Sequence, residues 1–306
     1  MEQTNISSIP LELQPKFIQS NYINIVNGII GVIGIVFNFF TFMTCRKLDK
    51  QNKTSFTTIM QSLAVWDGLS CIVLGIRTGI LRPIGINIQN ISDESCRIVW
   101  VMLTCTYAES IWHVVFLTFE RMLCIKFPIA HKNIGTIANA SKACIALSIS
   151  FVFISLPHAY YYRLMDGMCT AHTHLPLYIV YHNLFHFILV FVIPASLVVF
   201  GNFVIICALI QWSTRRNSSG SEHSVALLLV LISFVFLIAL FGSKILTVLN
   251  SYIKPDTPKS LAQLYYNYAI TNHFCLINNS VNFLFYVVAT KSFRGTFIKF
   301  IMCRRK

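Results

Sequence analysis

Residues 98–128 read IVWVMLTCTYAESIWHVVFLTFERMLCIKFP. The first part, 98–120, is apolar over the length that a helix needs to cross a bilayer core, about 20 residues for ~30 Å. Yet it contains Glu109, Ser110 and His113, and it ends in the charged pair Glu120-Arg121. Lipid does not solvate such side chains, so they must face an interior shared with other helices. A lone helix has no such interior, and the stretch therefore predicts a membrane-embedded bundle.

Six further apolar runs flank it, at 23–45, 56–79, 143–162, 177–211, 224–249 and 264–289, making seven. Composition agrees: of 306 residues 55% are hydrophobic and 11% charged, too little charge to cover a soluble domain of this size, which argues against a soluble enzyme. Lys and Arg number 24 against 11 Asp and Glu, for a net charge of +13. That excess does not gather into a nucleic-acid patch; it falls in short segments between the runs. Sixteen basic residues lie after runs one, three, five and seven (among them Arg46, Lys126, Arg215 and Lys291), against six on the other side (Lys16, Arg82, Arg97, Arg163, Lys254, Lys259). The positive-inside bias predicts a multi-pass plasma-membrane protein with its N-terminus outside and its C-terminus in the cytosol.

The expected organisation is an extracellular tail over 1–22, a seven-helix domain over 23–289, and an amphipathic helix with cytoplasmic tail over 290–306. With no basic segment ahead of it, run one is expected to act as its own anchor. Asn5 and Asn90 stand in glycosylation acceptor triplets on the outer side. Most of the ten cysteines lie inside apolar runs and read as small buried hydrophobes. Cys96, at the outer start of run three, and Cys169, in the outer loop after run four, are in a disulfide-permissive compartment, and a bridge between them would tether that loop over the bundle. Cys303, next to Arg304 and Arg305, is a candidate palmitoylation site.

The remaining buried polar residues are Asp67 in run two, His182 and His186 in run five, Lys244 in run six, and His273, Asn278, Asn279 and Asn282 in run seven. With these in view, the stretch from Glu120-Arg121 to Pro128 resembles the D/E-R-Y-x-x-x-x-x-P signature of rhodopsin-like (class A) G-protein-coupled receptors. Cys96 lies 25 residues before Arg121, the spacing of that family's disulfide cysteine. Leu63-Ala64-Val65-Trp66-Asp67 resembles its L-A-x-x-D, Asn38 and Pro194 match single positions of its first and fifth helices, and Asn282 to Tyr286 resembles its N-P-x-x-Y. The stretch from Lys291 to Phe300 reads as the family's short helix on the inner leaflet, with Phe293, Phe297 and Phe300 on one face.

The resemblance implies roles. Arg121, held by Glu120 and by Glu222 at the inner start of run six, would keep helices three and six together until activation opens a groove for a heterotrimeric G protein, with Asn282 and Tyr286 part of the switch. Asp67, Ser110, Asn278 and Asn282 match the residues that bind an allosteric sodium ion in many members; a polar network without an ion is the alternative. No other cofactor is expected. Leu103 stands where amine receptors have Asp, and Leu276 where opsins have the retinal-binding Lys, so neither a small amine nor retinal fits. The ligand-facing candidates are Trp100, Leu103, Thr104, Tyr107, His182, His186, Lys244, Asn272 and His273, with Lys244 available to a ligand carboxylate. The expected partners are an extracellular peptide or small-molecule ligand, a G protein and membrane lipid, with no nucleic acid.

Departures from the family pattern are as visible as the matches. Run six reads Phe236 to Gly242 where the family has F-x-x-C-W-x-P, so its Trp and Pro are missing, and Gly242 is expected to supply flexibility instead. Asn202 replaces a Tyr in run five, and Phe283 replaces the Pro of N-P-x-x-Y. Two other readings remain: a chemosensory receptor of the same fold for small molecules, and a zinc-dependent seven-span membrane hydrolase. In the hydrolase, Glu109 with His113 and His182 with His186, each four apart on a helix face, would ligate metal. A transporter would show internal repeats, and none is visible.

Overall fold

The computed structural model describes residues 14–48, 53–171, 175–214, 220–251 and 257–302. The first span is α1 (Gln14–Lys47); the second is α2 (Ser55–Ser70), which runs on as a π-helix over Cys71–Leu81; the third is α3 (Asp93–Lys126). A short α4 (Pro128–Ile134) leads to the fourth span, α5 (Ile137–Ser155) and α6 (Pro157–Tyr161). The fifth is α7 (Pro176–Asn183), a π-helix over Leu184–Val192 just before Pro194, and α8 (Ile193–Thr214). The sixth is α9 (Gly220–Ser251), the seventh α10 (Pro258–Ala289), and α11 (Lys291–Ile301) follows it.

Helix starts have local causes. The Thr54 and Thr257 hydroxyls accept the amides of Thr57 and Ser260, whose own hydroxyls return the bond, so α2 and α10 both open on capping boxes. Ser92 caps α3 at Ser95, which extends that span five residues outward of the apolar run. Lipid-side faces are as apolar as the interior: Ile25, Ile29, Val32, Val36 and Phe39 of α1 are exposed, as are Ile145, Ile149 and Phe153 of α5. Rows of large exposed apolar side chains on one helix face are what a bilayer covers.

Six of the described helical stretches are long and apolar enough to cross a membrane, and α10 is the span that is not. The reason lies in its neighbour. Ser20 and Asn27 of α1 donate to the carbonyls of Tyr265 and Ala269, Asn38 donates to that of Asn279, and Ser280 donates back to Ile30. A polar seam between α1 and α10 thus satisfies groups that lipid would leave unpaired.

The first and second spans approach by a different device. A Cβ built on Gly79 would sit 2.1 Å from the backbone nitrogen of Gly28, and one on Gly31 would sit 2.8 Å from the Cα of Gly75. Only glycine permits backbones this close. Phe283, the residue that replaces the family's Pro, is the hub of an aromatic cluster: Phe37 lies 4.9 Å and Phe297 4.9 Å from its ring centre, with Phe40 and Phe293 around them. The aromatic face of α11 is therefore turned onto α1 and α10, and Lys47 lies 3.9 Å over the Phe300 ring.

Gly242 has a packing role beside the flexibility expected of it. The helix α9 runs unbroken through it, and a Cβ there would meet the Phe274 ring at 3.0 Å, so this glycine permits a close approach of α10. A second addition is a hairpin between the fourth and fifth spans, β1 (Tyr162–Met165) and β2 (Met168–Ala171), paired antiparallel with Leu164 opposite Cys169. Its Asp166-Gly167 turn has φ of 50° and 72°, the positive values that a two-residue hairpin turn requires.

Candidate functional site

At the C-terminal end of α3 the Glu120 carboxylate is the centre of a clasp. Its Oε1 accepts from the Ser55 hydroxyl at 2.6 Å and lies 3.0 Å from His131 Nε2 of α4; its Oε2 lies 3.1 Å from Arg121 Nε. The Arg121 guanidinium is stacked 3.6 Å over the ring of Phe56. One carboxylate therefore joins α2, α3 and α4, and one arginine is held flat against α2. The backbone of Glu222 falls in α9, but its side chain lies outside the described residues, so the described clasp is made by Ser55, Phe56 and His131. None of these three stood out in the sequence.

At mid-depth Asp67 is fully buried; its Oδ2 accepts from Asn282 Nδ2 at 2.8 Å, and its Oδ1 has no hydrogen-bond partner among the described residues. Ser110 and Asn278 both donate to Asn279 Oδ1, at 3.2 and 3.3 Å, and Asn279 Nδ2 donates to Ser70 at 2.7 Å. Asn279 and Ser70 thus join the four residues expected there, and Asn279 is the hub. Tyr286 is buried against Phe293, ring centres 6.0 Å apart. Above this network a cavity of about 10 Å³, room for about one water, lies among Tyr107, Ile111, Phe236, Ser243, Cys275 and Asn278.

The opposite end of the bundle, at the start of α3, is capped by the hairpin. Cys96 and Cys169 are disulfide-bonded, Cα atoms 5.5 Å apart. Asp93 Oδ1 and Asn90 Oδ1 accept the backbone amides of Leu164 and Cys169, at 2.9 and 3.1 Å. Trp100 stacks on Tyr162 with ring centres 4.0 Å apart.

Beneath the cap, Lys244 lies 5.0 Å from the centre of the Tyr107 ring, and Tyr107 Oη is 3.4 Å from Ser243 Oγ. The Lys244 ammonium also bears electrostatically on His182 and His186. Those two rings lie 4.5 Å apart, and His186 Nε2 is 3.4 Å from Nε2 of His158, a residue that the sequence reading passed over. The other candidates are placed elsewhere. Thr104 is buried and donates to carbonyls of its own helix, Leu103 packs with Cys71, Leu74 and Leu276, and His273 Nδ1 lies 2.8 Å from Asn27 Oδ1 on α1. Asn272 is half-buried in α10.

Glu109 and His113 do meet, 3.3 Å apart and fully buried, but His113 Nε2 turns to Ser62 at 2.8 Å, on the side of α2. Among the described residues no group of three or more His, Cys, Asp or Glu side chains is arranged to hold a metal ion. Asn5 and Cys303 lie outside the described residues, and Asn90 ends the 3₁₀ turn Ile88–Asn90.

The arrangement is a bundle with a disulfide-tethered cap at one end, a buried carboxylate–amide network between and an arginine clasp at the other end. The family model described as 7 transmembrane receptor (rhodopsin family) matches residues 38–286, from Asn38 through Tyr286. The chain is a member of the rhodopsin family of seven-transmembrane receptors, and so a multi-pass membrane protein of the G-protein-coupled signalling class.

Proposed function

We propose that this receptor binds an extracellular peptide, or another polar ligand with an anionic group, beneath the hairpin cap, and activates a heterotrimeric G protein by opening the inner ends of the third and sixth spans. The reading takes the N-terminus as extracellular and the basic inner loops as cytosolic. The observation that carries it is the Glu120–Arg121 clasp: a buried carboxylate joins the second span and α4 to the end of the third, beside an arginine stacked on Phe56, an arrangement that a ligand-driven shift of the third span can break, and the share of the sixth span in it is part of the proposal. Lys244, buried below the cap and near two histidines, supports an anionic ligand group, because among the described residues it makes no salt bridge to a carboxylate and lies over the face of the Tyr107 ring. The residues at mid-depth suit a hard cation such as sodium: Asp67 is a fully buried carboxylate with no basic partner in hydrogen-bonding contact among the described residues, and Ser110, Ser70 and Asn279 bring further oxygens into its network. Such an ion would supply positive charge that holds the second, third and seventh spans together.

The test is a second-messenger assay in cells expressing the receptor, screened against peptide and small-molecule pools beside an Arg121→Ala control at equal surface level. A ligand-dependent response that the control lacks is expected. Absence of any G-protein response, basal or stimulated, would overturn the proposal.

A further inference from the structure

We propose that His158 and His186 form a binding site for a divalent transition metal, best suited to zinc, that pins the fourth and fifth spans together at their outer ends.

The hydrogen bonds around His158 decide which nitrogen carries its proton. The Tyr181 hydroxyl lies 2.7 Å from the Ile154 carbonyl, which only accepts, so the phenol proton points there. His158 Nδ1 lies 2.7 Å from that same hydroxyl oxygen and 3.1 Å from the Ser155 carbonyl. Both are acceptors toward it, so Nδ1 is the protonated nitrogen, and Nε2 of the neutral ring presents a bare lone pair. That lone pair meets Nε2 of His186 at 3.4 Å.

The spacing has a specific meaning. Two nitrogens each about 2.0–2.1 Å from one zinc ion at a tetrahedral angle lie roughly 3.3–3.4 Å apart. A direct N–H···N bond of 3.4 Å would be long. A metal-bound histidine also needs its other nitrogen tied as a donor to a carbonyl or similar group, and the Ser155 carbonyl and Tyr181 hydroxyl supply that tie. The two histidines come from α6 and from the π-helix of the fifth span, so an ion between them cross-links two spans.

Two protein ligands are fewer than the three of a catalytic zinc site, which leaves positions for water or for a donor from the receptor's own ligand. The nearby Lys244 charge opposes a bare dication and favours an anion as the third donor. The site is therefore modulatory rather than hydrolytic, and it stands whether or not the ligand reading above is right.

The test uses purified full-length receptor with zinc alone as the probe. One saturable zinc per chain is expected, with a rise in melting temperature that His158→Ala and His186→Ala both abolish. His186→Cys, which keeps a zinc donor, and His113→Ala, which lies at the other histidine cluster, should retain it. Cobalt(II) added to the unaltered receptor gives a readout independent of the variants' folding, and the intense visible absorption of a tetrahedral site is expected. No saturable zinc, a melting shift that survives in either alanine variant, or only the weak spectrum of octahedral cobalt overturns the proposal.

Discussion

Replacing Ser55 by Ala tests the clasp with the smallest possible change. The Ser55 hydroxyl is buried and donates to Glu120 Oε1 at 2.6 Å, so the variant deletes one hydrogen bond to a charged acceptor and leaves little empty space. A hydrogen bond to a charged group contributes about 1.5–3 kcal/mol where water cannot replace it. If the clasp exists only in the closed state, the loss falls on that state alone, and the ratio of open to closed receptor rises by about tenfold to a hundredfold. Basal second-messenger output, normalised to receptor at the cell surface, should rise accordingly. Glu120→Gln should do the same, and the Ser55→Ala/Glu120→Gln pair should add little beyond Glu120→Gln, because both act through one carboxylate. Unchanged or lowered basal output in Ser55→Ala at equal surface level would refute the assignment of the clasp to the closed state, as would full additivity of the pair.

Three further outcomes follow from other parts of the bundle. Gly79→Ala drives a Cβ onto the backbone of Gly28 at 2.1 Å, and overpacking of this kind costs about 1–3 kcal/mol or more, so its melting temperature in detergent should fall, whereas Gly295→Ala, with open space around it, should melt like the parent. Asp67→Asn should abolish any dependence of agonist affinity on sodium while the receptor still reaches the surface; dependence that persists would remove Asp67 from the ion's ligands. Lys244→Ala should shift the agonist dose response by about tenfold or more if its ammonium pairs with a ligand anion, and Lys244→Arg should recover most of it; an unchanged response sinks that role.

The spans were legible because the hydrocarbon core imposes a length on each apolar run, and the polar residues within them were legible because lipid makes each one conspicuous. Asp67, Ser110, Asn278 and Asn282 were found that way, and Asn279 and Ser70 complete their network. Ser55, Phe56 and His131 were not, since a serine, a phenylalanine and a histidine at the edges of spans are ordinary there, and only the fold gathers them on Glu120 and Arg121. His158 was missed for the same reason, sitting beside Pro157 at the outer end of a run. The glycines at 28 and 31 in α1, and at 79 and 75 facing them, carried a spacing signal for close helix approach. The Asp166-Gly167 turn signal likewise marked a hairpin. Neither π-helix had any such mark beyond Pro194, because an apolar run looks alike whether its hydrogen bonds reach four residues or five.

The seam between α1 and α10 bears on how the protein is made. Asn27 and the Ala269 carbonyl it bonds are 242 residues apart, so the partner that α10 needs is the earliest of the spans to enter the bilayer. A seventh helix less apolar than the other spans gains from a polar partner on the first, so its insertion is coupled to the contact that closes the ring. Biogenesis and folding meet at this contact, and Asn27→Leu should lower the share of chains whose seventh span inserts, as read by glycosylation mapping of its flanks; an unchanged share would refute the coupling.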